Sequence, residues 1–571
     1  MVGAGSGAGA IVFRYLILWF THLLSGHDDY SAAGHAANPL VPWLGRFFVL
    51  LVPVVGGLLY GPLIQRFARE ARGHGVPEVM YAVAERGGRI PPRVAVVKSL
   101  ASALCIGSGG SVGREGPIVQ IGSALGSTVG QLVRVPESRL RLLVACGAAG
   151  GISATFNAPI AGVFFALELI LADFQVESFG MVVLASVTAA VVGRAAFGAQ
   201  PFLALPTFQL HSPAEYPLYA LLGLAAALAG VGFTRTLYSL EDLADRAWHA
   251  LRGPEWLRPA VGGLALGGLL LALPELYGVG YPVLERAIQG RYLAGFLLVL
   301  LAGKVLATSL TIAIGGSGGV FAPSLFMGAT LGTAYGLGVG HLFPHLAGPA
   351  GAYGLVGMGA VFAGAARAPI TAVLIIFELT GEYTIILPLM AAIVLAAGAS
   401  RLLTGDTIYT LKLHRRGVDL SRAPSDSPLE RLRVADAMRP LPTPLQTGTS
   451  LRDTVARLSA VPGGALPVVD PTGALRGVVT AAEAEQAVQD QGPFTAAELA
   501  RTTAVLEAGQ TLQRALTELV RQHDTGLPVV AATADRRLVG WLDHRDVLRT
   551  LATVTDGPGA GRRRTGGEGW P

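Results

Sequence analysis

A 29-residue stretch, KSLASALCIGSGGSVGREGPIVQIGSALG, runs from Lys98 to Gly126 and returns 206 residues later as KVLATSLTIAIGGSGGVFAPSLFMGATLG from Lys304. At that spacing Lys98 meets Lys304, Gly109 meets Gly315 and Ser111 meets Ser317. Gly113 likewise meets Gly319, and Pro117 meets Pro323. Further on, FNAPIAGVFFALEL (Phe156 to Leu169) returns as ARAPITAVLIIFEL (Ala366 to Leu379), with Glu168 and Glu378 nine residues after the proline in each copy. Lysine, proline, glutamate and paired glycines in one order are more than a shared apolar composition. They predict a duplicated chain. Repeated halves with short helices interrupted by Gly and Pro point to a transporter architecture, with its site where the halves meet.

The loop inside the repeat carries the chemistry. GSGGSVGR (Gly107 to Arg114) precedes one carboxylate, Glu115, and a Gly-Pro that opens an apolar helix. Proline suits the first turn of a helix. The glycines let backbone N–H groups turn toward something small and negative. A carboxylate at that helix mouth competes with an anion for the same donors, and in an apolar setting it marks a site. Lys98 and Lys304 read either as a positive potential for an anion or as partners for backbone carbonyls. The first reading is slightly favoured.

Composition bounds the class. The 571 residues are 51% apolar and 14% charged, with a mean hydropathy of +0.52, which implies an integral membrane protein. A pI near 9.3 fits basic loops facing the cytoplasm better than a nucleic-acid face, because the basic residues are scattered. Cys105 and Cys146 both sit in apolar segments and give no disulfide or metal framework. No cleavable signal is evident, and the abrupt start at a membrane helix leaves room for a leader segment before it.

From 1 to about 411, apolar runs alternate with Gly, Pro and charges, which predicts roughly 16 to 18 helices. The repeat cores lie at about 98–169 and 304–379. Many runs are shorter than a full span, as tilted or broken helices among neighbours would be. Residues 412–429 read as a membrane exit and linker, and the Arg pair at 415–416 places this end in the cytoplasm. Two further copies then share helix and strand patterns 61 residues apart: SLRDTVARLSA…LPVV from Ser450 and TLQRALTELVR…LPVV from Thr511. The expected modules are 430–488 and 489–555. The Gly/Arg-rich stretch 556–571 is expected to be a disordered tail.

GREGP (Gly113 to Pro117), GHGVPE (Gly73 to Glu78), GGVFAP (Gly318 to Pro323) and Tyr409 in TGDTIYTLKL resemble the four anion-path segments of the CLC chloride channels and transporters. The soluble pair resembles tandem CBS domains. The resemblance implies an all-α multi-pass membrane protein of two inverted repeats with a cytoplasmic α+β CBS pair. It further implies a homodimer in the cell membrane, with one anion pathway per subunit. By resemblance the anion-binding residues are His74, Gly75, Gly113, Glu115, Gly116, Val320, Phe321 and Tyr409, with Glu115 as the gate. The N–H groups of Val320 and Phe321 would cap the anion, and the Tyr409 hydroxyl would reach it.

Two departures stand out. His74 replaces a common Ser, which alters selectivity and pH response. Leu169 fills the position of the inner proton glutamate and cannot hold a proton, which leans the reading to a channel or uncoupled carrier. A chloride/proton antiporter using another proton route is the alternative. Glu168, matched by Glu378, reads as structural. In the CBS pair the nucleotide-type segment puts Thr480 in the first copy and Asp543 and Asp546 in the second. Asp543 would repel a phosphate, so an adenine nucleotide or a purely regulatory pairing are both left open. No cofactor is required and no metal site is expected. A CBS-regulated cation transporter would need clustered intramembrane carboxylates, and an enzyme would need a nucleophile–base set. Neither pattern is present.

Overall fold

Each long apolar run forms a helix, with large apolar side chains both in the core and on the outer surface. In this computed structural model all residues are described except 201, 204–207, 209–211, 419–428, 430–431, 442, 462–463, 491, 523–525, 532–536 and 556–571. The expected tail and most of the expected linker therefore lie outside the described residues. The chain divides into two compact units, Met1–Ser421 and Arg422–Pro571.

The first unit holds seventeen α-helices among the described residues. Six are long and apolar enough to span a bilayer, from Val2–Ser25 to Ile386–Leu403. Leu184, Leu228 and Val394 are each more than 60% exposed on these helices, an arrangement suited to lipid and unfavourable in water. Inside, contact depends on glycine. A Cβ on Gly122 would lie 2.1 Å from the Gly147 carbonyl, and one on Gly328 would lie 2.2 Å from that of Gly357. These equivalent crossings let helix backbones touch in both halves.

The repeats lock together through their matched residues. Gly113 N–H donates to Gly319 O at 2.7 Å, and Gly319 N–H donates to Gly113 O at 2.6 Å. A residue can pair reciprocally with its own equivalent only across a local two-fold axis, which therefore relates the two halves. Glu168 accepts from the N–H groups of Ile370 and Thr371 at the start of helix Pro369–Thr380. Glu378 accepts from Ile160 and Ala161 at the start of Pro159–Phe165. Each glutamate thus caps the other half's helix, where orphan donors and the helix dipole favour a carboxylate.

The membrane unit runs past the expected boundary at 411. Helix Thr410–His414 crosses it, and Arg416 pairs with Glu78 at 2.8 Å. A charged stretch that read as a linker is held by ion pairs.

In the second unit, β1 (Leu445–Gln446), β2 (Ala465–Val469) and β3 (Leu475–Thr480) form one sheet, ordered β1-β2-β3. Its twin is β4 (Leu506–Glu507), β5 (Gly526–Val530) and β6 (Leu538–Asp543), ordered β4-β5-β6. Each has one parallel and one antiparallel ladder, with a register shift at Val468/Val469 and again at Val529/Val530. The entering segments are exchanged. Val434 and Ala435 donate to Gln510 and Ala508 of the second copy, while Ala496 and Ala497 donate to Thr449 and Thr447 of the first. A linear cut between 488 and 489 therefore parts each sheet from its packing segment.

Candidate functional site

Three glycine loops meet in the first unit. Gly73 N–H donates to Gly316 O and Gly318 N–H to Gly73 O, beside the Gly113–Gly319 pair. Buried lysines hold this knot. Lys98 Nζ donates to the carbonyls of Ala71 and Gly73 at 2.9 and 2.8 Å. Lys304 Nζ donates to Gly278 O, Val279 O and Ser111 Oγ at 2.9–3.1 Å. The lysines are partners for backbone carbonyls, and the charge of Lys304 still acts on Glu115. Carbonyls that bend away from helices need donors, and the ammonium groups supply them.

Glu115 opens helix Glu115–Val133 and is 1% exposed. Its carboxylate crosses to the other repeat. Oε2 accepts from Ala322 N–H at 3.2 Å, in the first turn of helix Phe321–Leu342. Oε1 accepts from the Tyr281 hydroxyl at 2.7 Å. No ion pair joins Glu115 to Arg114 among the described residues. Arg114 instead lies 4.8–5.3 Å from the rings of Phe156, Phe202 and Tyr281.

Val320 caps helix Phe321–Leu342 and Phe321 begins it. The expected donors thus sit at a helix start, where first-turn N–H groups lack intrahelical acceptors. The N–H seen to donate to the carboxylate is that of Ala322, one residue further on. Pro323 follows and has no N–H to offer.

Gly75 and Gly116 shape the approach. Gly75 has φ +79°, the left-handed region. A Cβ on Gly116 would lie 2.0 Å from His74 O. The His74 ring is fully buried, both its nitrogens lack partners, and it lies 6.4 Å from the rings of Tyr409 and Tyr238. His74 and Tyr409 are thus brought together. Leu169 is 8% exposed within a single π turn, Ala166–Leu171, and belongs to the main apolar core.

The nucleotide-type residues of the second unit are already engaged. Thr480 and Glu483 form a capping box on helix Ala481–Gln489. The backbone N–H of Asp543 and of Asp546 each donates to the other's carboxylate, and both carboxylates bind the Arg439 guanidinium.

Sequence reasoning missed Tyr281. A signal for it existed: Gly278-Val279-Gly280-Tyr281-Pro282 repeats Gly73-His74-Gly75-Val76-Pro77 at a spacing of 205.

The voltage gated chloride channel family model matches residues 56–401, and the CBS domain model matches 496–553. A putative chloride channel protein ClcB-like from Ralstonia nicotianae is 36% identical over 431 residues, covering 75% of this chain and 98% of that protein. The H(+)/Cl(-) exchange transporter ClcA of Vibrio cholerae is 36% identical over 421 residues, covering 73% and 88%. The structure of a slow cyanobacterial Cl-/H+ antiporter is similar with a TM-score of 0.64 at 25% identity, covering 74% of this chain and 97% of that one. A eukaryotic CLC transporter shares the fold with a TM-score of 0.63 at 21% identity, covering 95% and 96%.

Proposed function

The chain belongs to the voltage-gated chloride channel family of anion transport proteins, and from that premise we propose that it carries chloride or a similar small anion past Glu115 without coupling to protons. One observation carries the reading. The Glu115 carboxylate occupies the Ala322 N–H at the N-terminus of helix Phe321–Leu342, the place a dehydrated anion would take. Protonating or swinging the carboxylate vacates that donor. His74 and Tyr409 then offer the next polar groups, an imidazole N–H and a phenol O–H. Leu169 supports uncoupled movement because its side chain carries no proton. Glu168 is occupied as a helix cap.

Proton-coupled exchange is the second reading. It is favoured by the 36% identity to an H(+)/Cl(-) exchange transporter, and it requires a proton route other than residue 169. The reading includes a homodimer and cytoplasmic CBS modules. With Asp543 and Asp546 held by Arg439, those modules serve as a regulatory packing pair rather than an adenine nucleotide site.

Chloride efflux from liposomes, with voltage clamped by a potassium ionophore and external pH recorded, tests both. Chloride flow without proton movement supports the uncoupled reading. Protons driven uphill by chloride support exchange and overturn it. Absence of any anion flux overturns both.

A further inference from the structure

Two guanidinium groups lie near Glu115: Arg114, whose charge is partly offset by that carboxylate, and Arg14. Arg14 lies within the spanning helix Val2–Ser25. Among the described residues no acid pairs with it, and its guanidinium lies 4.2 Å over the Phe197 ring. Arg114 is 9% exposed, and its Nε and Nη2 are buried without partners. The two charges are close enough to repel each other.

A cavity of about 150 Å³ lies here, lined by Arg14, Thr155, Asn157 and the rings of Phe156, Phe197 and Phe202. Two of those rings, Phe156 and Phe202, also pack on Arg114. Phe202 packs at 4.8 Å on Tyr281, whose hydroxyl holds Glu115. The cavity is therefore one aromatic layer from the gate.

A cation inside a spanning segment calls for a partner. Ring faces compensate part of its charge, and they also make the site apolar enough to strengthen any ion pair formed in it. Asn157 is not free to act, since its Nδ2 is committed to Ala199 O and Gln200 O and its Oδ1 to Arg194. Thr155 and Gln200 also line the cavity but carry no charge, so an anion that balanced Arg14 there would come from outside the chain. The volume equals about five water molecules, room for a small ion with part of its hydration shell.

We propose that this cavity is an anion-holding site ahead of Glu115, which seats one halide or nitrate-sized oxyanion against Arg14, with Arg114 adding to the field. Its service to transport rests on the transport reading above; the site itself does not. Held there, an anion is concentrated at the mouth before the gate opens, as clefts lined by one sign of charge concentrate their ligands.

Bromide soaked into crystals of the full chain tests the site directly. An anomalous peak is expected in the cavity of the wild type and of Arg14→Lys, and none in Arg14→Gln. No peak in the wild type overturns the proposal, as does a peak that persists in Arg14→Gln. In liposomes, Arg14→Gln should raise the chloride concentration for half-maximal efflux about fivefold with the maximal rate kept. That difference should shrink when an impermeant salt screens the charge. An unchanged half-maximal concentration overturns the holding role. Bromide in the wild-type cavity of a protein that moves no chloride would uphold the site and overturn the transport reading.

Discussion

Lys98 and Lys304 do the same work in the two halves of the membrane unit, each tying a glycine loop to a helix through backbone carbonyls. Glu168 and Glu378 are equally alike, each capping a helix of the other half. The resemblance stops at the pathway. Glu115 in the first half faces Phe321 in the second, His74 faces Val279, and Val76 faces Tyr281. Symmetric positions hold the halves together, and asymmetric ones do the chemistry. The physical reason is plain. Two equivalent carboxylates at one helix junction would compete for a single set of donors, and two like charges would not both stay ionised.

The comparison breaks most visibly if the lysines are not equivalent. Lys304→Met removes the donor to Gly278 O and Val279 O, at roughly 1–3 kcal/mol per group, whereas Lys98→Met leaves Ala71 O and Gly73 O with Ser317 Oγ and Gly318 N–H. Lys304→Met should lose about 3 kcal/mol or more of stability by this count and Lys98→Met less, with corresponding falls in the thermal midpoint of the purified protein. A large fall in one and none in the other would show that the shared geometry conceals different roles.

The pathway residues should instead separate. Glu115→Gln removes the charge that competes for the N-terminus of helix Phe321–Leu342, a contact of up to about 2 kcal/mol when buried. Chloride should then bind roughly thirtyfold tighter at neutral pH. Acid favours the protonated carboxyl, so wild-type affinity should rise as pH falls, whereas the Gln variant should stay flat at the tight value. Phe321→Leu keeps the backbone donors and should shift affinity by less than about twofold, since it alters packing alone. Titration calorimetry across pH reads both.

Tyr281 sharpens the contrast between matched positions. Its hydroxyl donates to a buried carboxylate, a bond of about 1.5 kcal/mol. Tyr281→Phe should loosen Glu115 and raise chloride efflux about tenfold at fixed pH. Val76→Ala at the equivalent position should leave the efflux rate within about twofold, because Val76 carries no donor for the carboxylate. Equal effects at the two sites would mean that loop packing, not the hydroxyl, sets the gate.

Much of this was legible in the chain. The spacing of 206 between Lys98 and Lys304 foretold that Gly113 and Gly319 would be equivalent, and the fold pairs them. Glu115 stood out because one carboxylate between glycines and a proline has few roles in an apolar chain. Other features were not legible. Tyr281 was not legible because its hydrogen bond spans 166 residues and its repeat carries Val76 at the matching position. The lysines' carbonyl partners depend on how loops fold back, which no local pattern encodes. The exchanged segments of the CBS pair were hidden because Arg433–Arg439 precedes the first copy in sequence but packs on the second.

The smallest expected effect returns to the symmetric pair. Glu168→Gln and Glu378→Gln each keep the shape of a cap but lose the charge that faces a helix start, a contribution near 1 kcal/mol. Both should lower the thermal midpoint by similar amounts. Glu168 adjoins Leu169, the place where a proton glutamate would stand, so its variant also bears on coupling. If Glu168 only caps helix Pro369–Thr380, Glu168→Gln leaves the ratio of protons to chloride at its wild-type value, as Glu378→Gln does. A ratio altered by Glu168→Gln alone would make the two caps unlike. Such a result would assign the first half a proton site beside Leu169, since a cap that also carries a proton must release its helix each time it does so.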